Sequence, residues 1–256
     1  EVYIHPQVML NGQLVPLERN PKLLGVIYDP MFTFSKHVTT TVDKAKKKIN
    51  IMKSLAGTSW GADKETLVLT YKSIVRSGLE YGVPIWGPII STANWTKLQT
   101  VQNQGLKIAT GNHVMASKDH IHQETKILPL KEHGDLLTKQ FHLNCHLPGH
   151  PGNKHLYKPA QPRSRKPTAR KYQDSVANLL PVNDKKDLKK KMRTVHTDIV
   201  ATTINSYNNN RVLNTKPPGI NKEEISLNRK VRSRLSQLRS GFSSCLNDYK
   251  HRIDPE

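Results

Sequence analysis

Eight of the twelve histidines lie between His113 and His155, and His142, His146 and His150 recur every four residues with Cys145 beside the second. Imidazoles one helical turn apart, together with a thiolate, are the raw material of a tetrahedral zinc site. Pro148 and Gly149 end any helix before the third histidine, and no carboxylate or second cysteine stands nearby, so no metal ligand is assigned. The acids offer no more. Two-metal phosphoryl transfer requires carboxylates converging at strand ends, yet there is no Asp-Asp pair, and Asp29, the one Asp beside the predicted strands, sits in turn sequence. A glycine-rich phosphate loop, GxSxG, HExxH and CxxC are also absent. No catalytic residue and no cofactor are assigned, and the chain by itself is expected to be inactive as an enzyme.

Positive charge is the feature that remains. The 256 residues carry 40 Lys and Arg against 20 Asp and Glu, a formal charge of +20, and such a chain repels itself and is stabilised by polyanions. The basic residues gather in four clusters, Lys44 to Lys48, Arg163 to Lys171, Lys185 to Arg193 and Arg229 to Arg239. Lys and Arg on phosphates displace condensed counterions and give affinity without sequence choice. Lys46, Lys47 and Lys48 are the first candidates for phosphate contact, and Arg229, Lys230, Arg232 and Arg234 form a second basic face. Aromatic residues make up only 6% of the chain, which favours backbone contact over base stacking. The longest apolar run, Leu79 to Ile90, is interrupted by Glu80, Pro84 and Pro88, so no membrane partner is expected. Two cysteines 100 residues apart suit a reducing compartment, nuclear or cytoplasmic.

These side chains need elements to position them. Asn11-Gly12 between Val8-Met9-Leu10 and Leu14-Val15 predicts a tight hairpin, and Leu23 to Tyr28 a third strand. From Ser35 the apolar period becomes helical (Val38, Val42, Ala45, Ile49, Met52, Ala56). Further helices are predicted from Asp63 to Gly78 and from Thr92 to Gly111. The fold class is therefore mainly α with a small antiparallel β meander at the N-terminus: strands over 1–34, a helical bundle over 35–112 and additional helices over 113–147. A basic, Pro-rich linker is expected over 148–181, where six prolines accompany few apolar residues, and basic helices over 182–256. The last of these, from Glu223, should turn Ile225, Val231, Leu235 and Leu238 inward.

The run Leu23-Leu24-Gly25-Val26-Ile27-Tyr28-Asp29-Pro30 through Phe34-Ser35-Lys36-His37-Val38 resembles the end of the polymerase domain in reverse transcriptases of jockey-like non-LTR retrotransposons. Tyr71-Lys72-Ser73-Ile74, Leu79-Glu80-Tyr81-Gly82 with Ile85-Trp86, and Leu98-Gln99 through Ile108-Ala109-Thr110-Gly111 resemble the family's thumb. Leu238-Arg239-Ser240-Gly241-Phe242 to Leu246-Asn247 and Arg252-Ile253 resembles its C-terminal tail. The likeness covers residues 8–155 well and 225–256 less closely.

The resemblance implies that residues 1–34 are the last palm strands, with Leu24 and Gly25 in a primer-grip-like region, and that 35–112 form the thumb. It also implies partners: a template–primer duplex, element RNA or target DNA, and the rest of the polymerase chain upstream. The catalytic aspartates and their Mg²⁺ would lie before Glu1 and a Cys-rich segment after Glu256, making this chain a connecting fragment of an RNA-directed DNA polymerase. A stand-alone basic RNA- or DNA-binding or adaptor protein, or a non-functional remnant of a transposable element, are the alternative readings.

Overall fold

The computed structural model describes residues 8–57, 60–156, 172, 174–208, 222–246 and 249–250. Asn11 and Gly12 take φ angles of 49° and 75°, the left-handed pair that a two-residue turn between strands requires. They join β1 (Met9–Leu10) to β2 (Gln13–Leu14), with Met9 opposite Leu14. The stretch expected as a third strand is instead a second hairpin, β3 (Lys22–Leu23) against β4 (Val26–Ile27), reversing at Leu24 and Gly25 with φ 46° and 89°. Two residues of positive φ reverse the chain where the apolar run predicts an uninterrupted strand. The hairpins form separate two-stranded sheets. Met9, Leu10, Leu14, Leu23 and Leu24 all stay exposed.

Asp29 then turns the chain into the bundle. Its carboxylate accepts hydrogen bonds from the backbone N–H of Thr33 and Phe34. The slight burial would raise its pKa, but these donors outweigh that and hold it below the ordinary value. The helix that follows, α1 (Ser35–Leu55), buries Val38, Val42, Ala45, Ile49 and Met52 along one stripe, as its spacing requires.

Asp63 caps α2 (Lys64–Thr70) by accepting from Thr66 N at 2.8 Å. The helix widens into a π-helical turn over Tyr71–Arg76 and closes as α3 (Ser77–Leu79). After α4 (Val83–Trp86) comes α5 (Thr92–Thr110). Gly105 lets α5 approach the π-helical turn, since a Cβ there would stand 2.7 Å from Tyr71 Cδ2. The Tyr71 hydroxyl donates to Gln102 Oε1 at 2.9 Å, and Gln102 Nε2 donates to the Leu128 carbonyl, so the ring's polar end is satisfied in the core. Trp86 is fully buried against His37 and Trp95, and its indole N–H donates to the Tyr81 carbonyl at 2.9 Å. The apolar run Leu79 to Ile90 thus supplies core through Leu79, Val83, Trp86 and Ile90.

The helices α6 (Lys118–Thr125) and α7 (Leu130–Cys145) complete the first core and begin a second. Leu136, Leu143 and Leu147 pack there with Val176, Val182 and with Leu188 and Met192 of α8 (Lys185–Thr203). The expected linker is accordingly shorter at its edges. Pro151–His155 and Ala177–Leu179 are 3-10 turns, and Val176 is fully buried, because isolated apolar residues in a polar stretch suffice to anchor it. Residues 157–171 of that linker lie outside the described residues.

The last expected helix is two, α9 (Lys222–Ser226) and α10 (Arg229–Ser240), separated where Asn228 caps α10 by accepting from Val231 N at 3.0 Å. Its inward face also differs from expectation. Arg229, Arg232, Ser233 and Ser236 are buried, while Ile225 and Val231 are exposed.

Candidate nucleic-acid interface

Tyr81 fixes the turn of the second hairpin. Its hydroxyl donates to the Leu24 carbonyl at 3.0 Å, and a Cβ on Gly25 would meet its ring at 3.1 Å. Any side chain at 25 would suffer both that crowding and the positive φ. His37 ties β4 to α1: its Nδ1 accepts from Ile27 N at 3.3 Å. Burial lowers the His37 pKa and the Lys44 charge lowers it further, so the ring is neutral at pH 7.

Between this hairpin and α1 opens a cleft of about 250 Å³, lined by Lys22, Gly25, Lys44, Lys48 and Tyr81 among others, with no carboxylate in its wall. Lys44 and Lys48 stand one turn apart on α1, and Lys22 reaches the same space from β3. Among the described residues none of the three forms an ion pair. Three ammonium groups, unpaired among the described residues, line this small concavity and give it a positive potential.

The sequence candidates are distributed unevenly. Gly25 and Lys48 line the cleft, and Leu24, 84% exposed, projects from the turn beside it. Lys47 and Lys46 are exposed, but at about 100° per residue Lys47 points outward and Lys46 falls on the far flank of the buried stripe. Sequence reasoning misses Lys22 and Lys44. The i, i+4 spacing of Lys44 and Lys48 carries the signal for the second, whereas Lys22 joins only through the hairpin.

The second basic face is divided in the same way. Arg229 donates to the Ala109 and Ile108 carbonyls at 2.6 and 2.8 Å, at the C-terminal end of α5, and Arg232 donates to Glu65 at 2.6 Å. Both guanidiniums are buried against internal partners, and of the four only Lys230 and Arg234 remain exposed. The contacts that seat α10 centre on Glu124. Its carboxylate meets Lys64 Nζ at 3.5 Å, His120 Nε2 at 3.2 Å and Asn112 Nδ2 at 3.1 Å, and accepts from the Ser236 hydroxyl. Lys64 also pairs with Glu224 at 3.1 Å, and Glu224 with Arg239 at 3.0 Å.

Three comparisons with known proteins bear on this geometry. Over 137 residues, 54% of its length, the chain is 25% identical to the probable RNA-directed DNA polymerase from transposon X-element of Drosophila melanogaster. It is 29% identical over 138 residues to the RNA-directed DNA polymerase from mobile element jockey of Drosophila funebris, and 27% identical over 143 residues to that of Drosophila melanogaster. The chain resembles jockey-type RNA-directed DNA polymerases. It spans about 15% of the length of these jockey-type relatives. No family model matches, and no solved structure does.

Metal-assisted phosphoryl transfer needs converging carboxylates, and the described residues gather none. Asp29 is consumed by its own turn, and the charged side chains that line the cleft are lysines. Among the described residues no three His, Cys, Asp or Glu side chains gather as metal ligands. His142 stacks on Tyr172 at 6.0 Å, and His150 Nδ1 accepts from Gly152 N at 3.0 Å. Among the same residues no helix is long and apolar enough to cross a membrane.

Proposed function

We propose that this chain is the end of the palm, the thumb and the connecting region of a jockey-type reverse transcriptase, and that it grips a template–primer duplex by its phosphates. The observation that carries the reading is the cleft where Lys22, Lys44 and Lys48 converge beside the Gly25 turn without any acid. A helical bundle that presents such a site does no bond chemistry. It holds the duplex so that the primer end stays aligned with groups elsewhere in the longer protein, a positioning role. The exposed apolar faces of the two hairpins support a second element of the reading. Two-stranded hairpins are marginal alone, and the preceding polymerase segments would cover them. The divalent cations of the reaction belong with those segments, in a nuclear or cytoplasmic setting, and element RNA or target DNA are the further nucleic acids in reach.

Binding of an RNA–DNA hybrid, followed by fluorescence anisotropy across a salt series, tests this. Lys44→Ala with Lys48→Ala should weaken binding about ten- to hundredfold at low salt, equally for unrelated sequences. The slope of log K against log salt should flatten by roughly 0.9 for each phosphate that is no longer neutralised. Affinity that ignores both salt and the paired substitution would return the charge to a solubilising role, and the chain to the adaptor or remnant reading. With Mg²⁺ or Mn²⁺ the purified chain should give no templated primer extension. Extension would place the chemistry within it.

A further inference from the structure

A line of positive charge runs along the outside of the second core. In α8, Leu188, Met192, Val195 and Ile199 pack into that core, so the helix is held in a fixed orientation. At about 100° per residue, Lys186, Lys190 and Arg193 fall on the opposite side and Lys189 on its flank, and all four are exposed. They cover two turns, about 10 Å of helix. The nearby acids are elsewhere: Asp184 accepts from Lys186 N and Asp187 N as the cap, and Asp187 pairs with Lys191 at 3.1 Å on the flank. Among the described residues none of the four stripe side chains forms a close ion pair, although the Asp187 carboxylate feels the Lys190 charge.

Placement argues against a plain solvated face. Solubilising surfaces intersperse both signs, whereas these four like charges sit at i, i+3 and i+4, where they repel. Lys186 also lies in the first turn of the helix, where the dipole disfavours a cation. An anionic partner relieves both conflicts. The segment Lys185–Thr203 holds no Phe, Tyr or Trp, so it offers phosphates charge and offers bases little stacking surface.

We propose that this face of α8 is a second nucleic-acid contact, which binds the phosphate backbone of a duplex independently of the α1 cleft. None of its four residues lines that cleft, so the chain would hold two duplex segments at once. The α8 face stands whether or not the chain acts as a thumb.

The test uses the full chain carrying Lys186→Gln, Lys189→Gln, Lys190→Gln and Arg193→Gln together. These side chains are exposed and repel one another, so the circular dichroism should match the parent and the thermal transition should match or slightly exceed it, which makes any weakening a binding effect. On duplex DNA the salt slope should become shallower by roughly 2–4, at about 0.9 per phosphate. The parent should bring two differently labelled duplexes within energy-transfer range, and the variant should not. The Lys44→Ala, Lys48→Ala chain should keep the α8 contribution, so failure here and failure of the cleft reading are distinguishable. An unchanged slope, or undiminished bridging by the variant, overturns the proposal. So does loss of binding to phosphatidylserine vesicles with duplex binding intact, which would make the face a lipid contact.

Discussion

Replacing Glu124 with alanine is expected to destabilise the chain by about 3–5 kcal/mol, because it removes the shared carboxylate of a buried cluster, taking the acceptor from His120 and leaving Lys64 to Glu224 alone. Lys64, His120, Asn112 and Ser236 all converge on that carboxylate, and His120 and Ser236 are buried with it. Glu124→Gln keeps an acceptor and should lose less. Urea unfolding at pH 7 reads both values, and faster tryptic cleavage at Arg234 reads the release of α10. A Glu124→Ala chain within about 1 kcal/mol of the parent would show that the cluster is dispensable. Acid should mimic the substitution. Burial alone would raise the Glu124 pKa, but His120, Lys64 and Ser236 bring it below the ordinary 4.5. A depressed carboxylate stabilises the fold fully above its unfolded value, and that share is lost as pH falls through the lower folded one.

That cluster also marks where sequence reasoning stops. The α1 stripe is legible because Val38, Val42, Ala45, Ile49 and Met52 are buried by apolar contact, and their spacing records it. The same rule fails for α10 because what seats it is polar. Arg229 satisfies carbonyls at the end of α5 and Ser236 reaches Glu124, partners more than a hundred residues away that no local pattern names. A rule that turns apolar residues inward therefore points Val231 the wrong way, and it offers Arg229 and Arg232 as surface charge.

The α1 cleft is an intermediate case. The lysine run is plain, but a cluster in sequence is not a cluster in space. On a helix, neighbours i and i+1 diverge and i, i+4 coincide. Lys44 and Lys48 therefore share a face that Lys46 does not. The hairpin turn at Leu24 and Gly25 reads in sequence as a passing strand, yet it is the feature that brings Lys22 across to them. Pairing between segments, rather than composition, makes the site.

A second large effect is expected between pH 6.5 and pH 4, and it originates at His122. Burial drives its pKa down to about 4, partly opposed by the Ile127 carbonyl and reinforced by the Arg76 charge. Its Nδ1–H donates to that carbonyl at 2.7 Å, and Nε2 accepts from Gln99 Nε2 at 3.0 Å. Gln99 in turn accepts from Leu130 N at 2.8 Å, so a neutral ring with one fixed tautomer closes the turn between α6 and α7. In the unfolded chain the same imidazole titrates near 6.5. Between the two values the unfolded state binds a proton that the folded state refuses. Stability should therefore rise with pH across this window, be fully present above 6.5, and fall by about 3 kcal/mol toward pH 4. His37, His142, His146 and His196 are shifted in the same direction and add to the slope, so the parent's curve alone does not isolate the effect. His122→Asn does. It can still donate toward the Ile127 carbonyl but takes up no proton, so it should be weaker than the parent at pH 7 and show a pH dependence flatter by about 3 kcal/mol. Parallel curves for parent and variant in urea unfolding from pH 4 to pH 7 would mean that His122 is protonated in the fold, and that the α6–α7 turn is built differently.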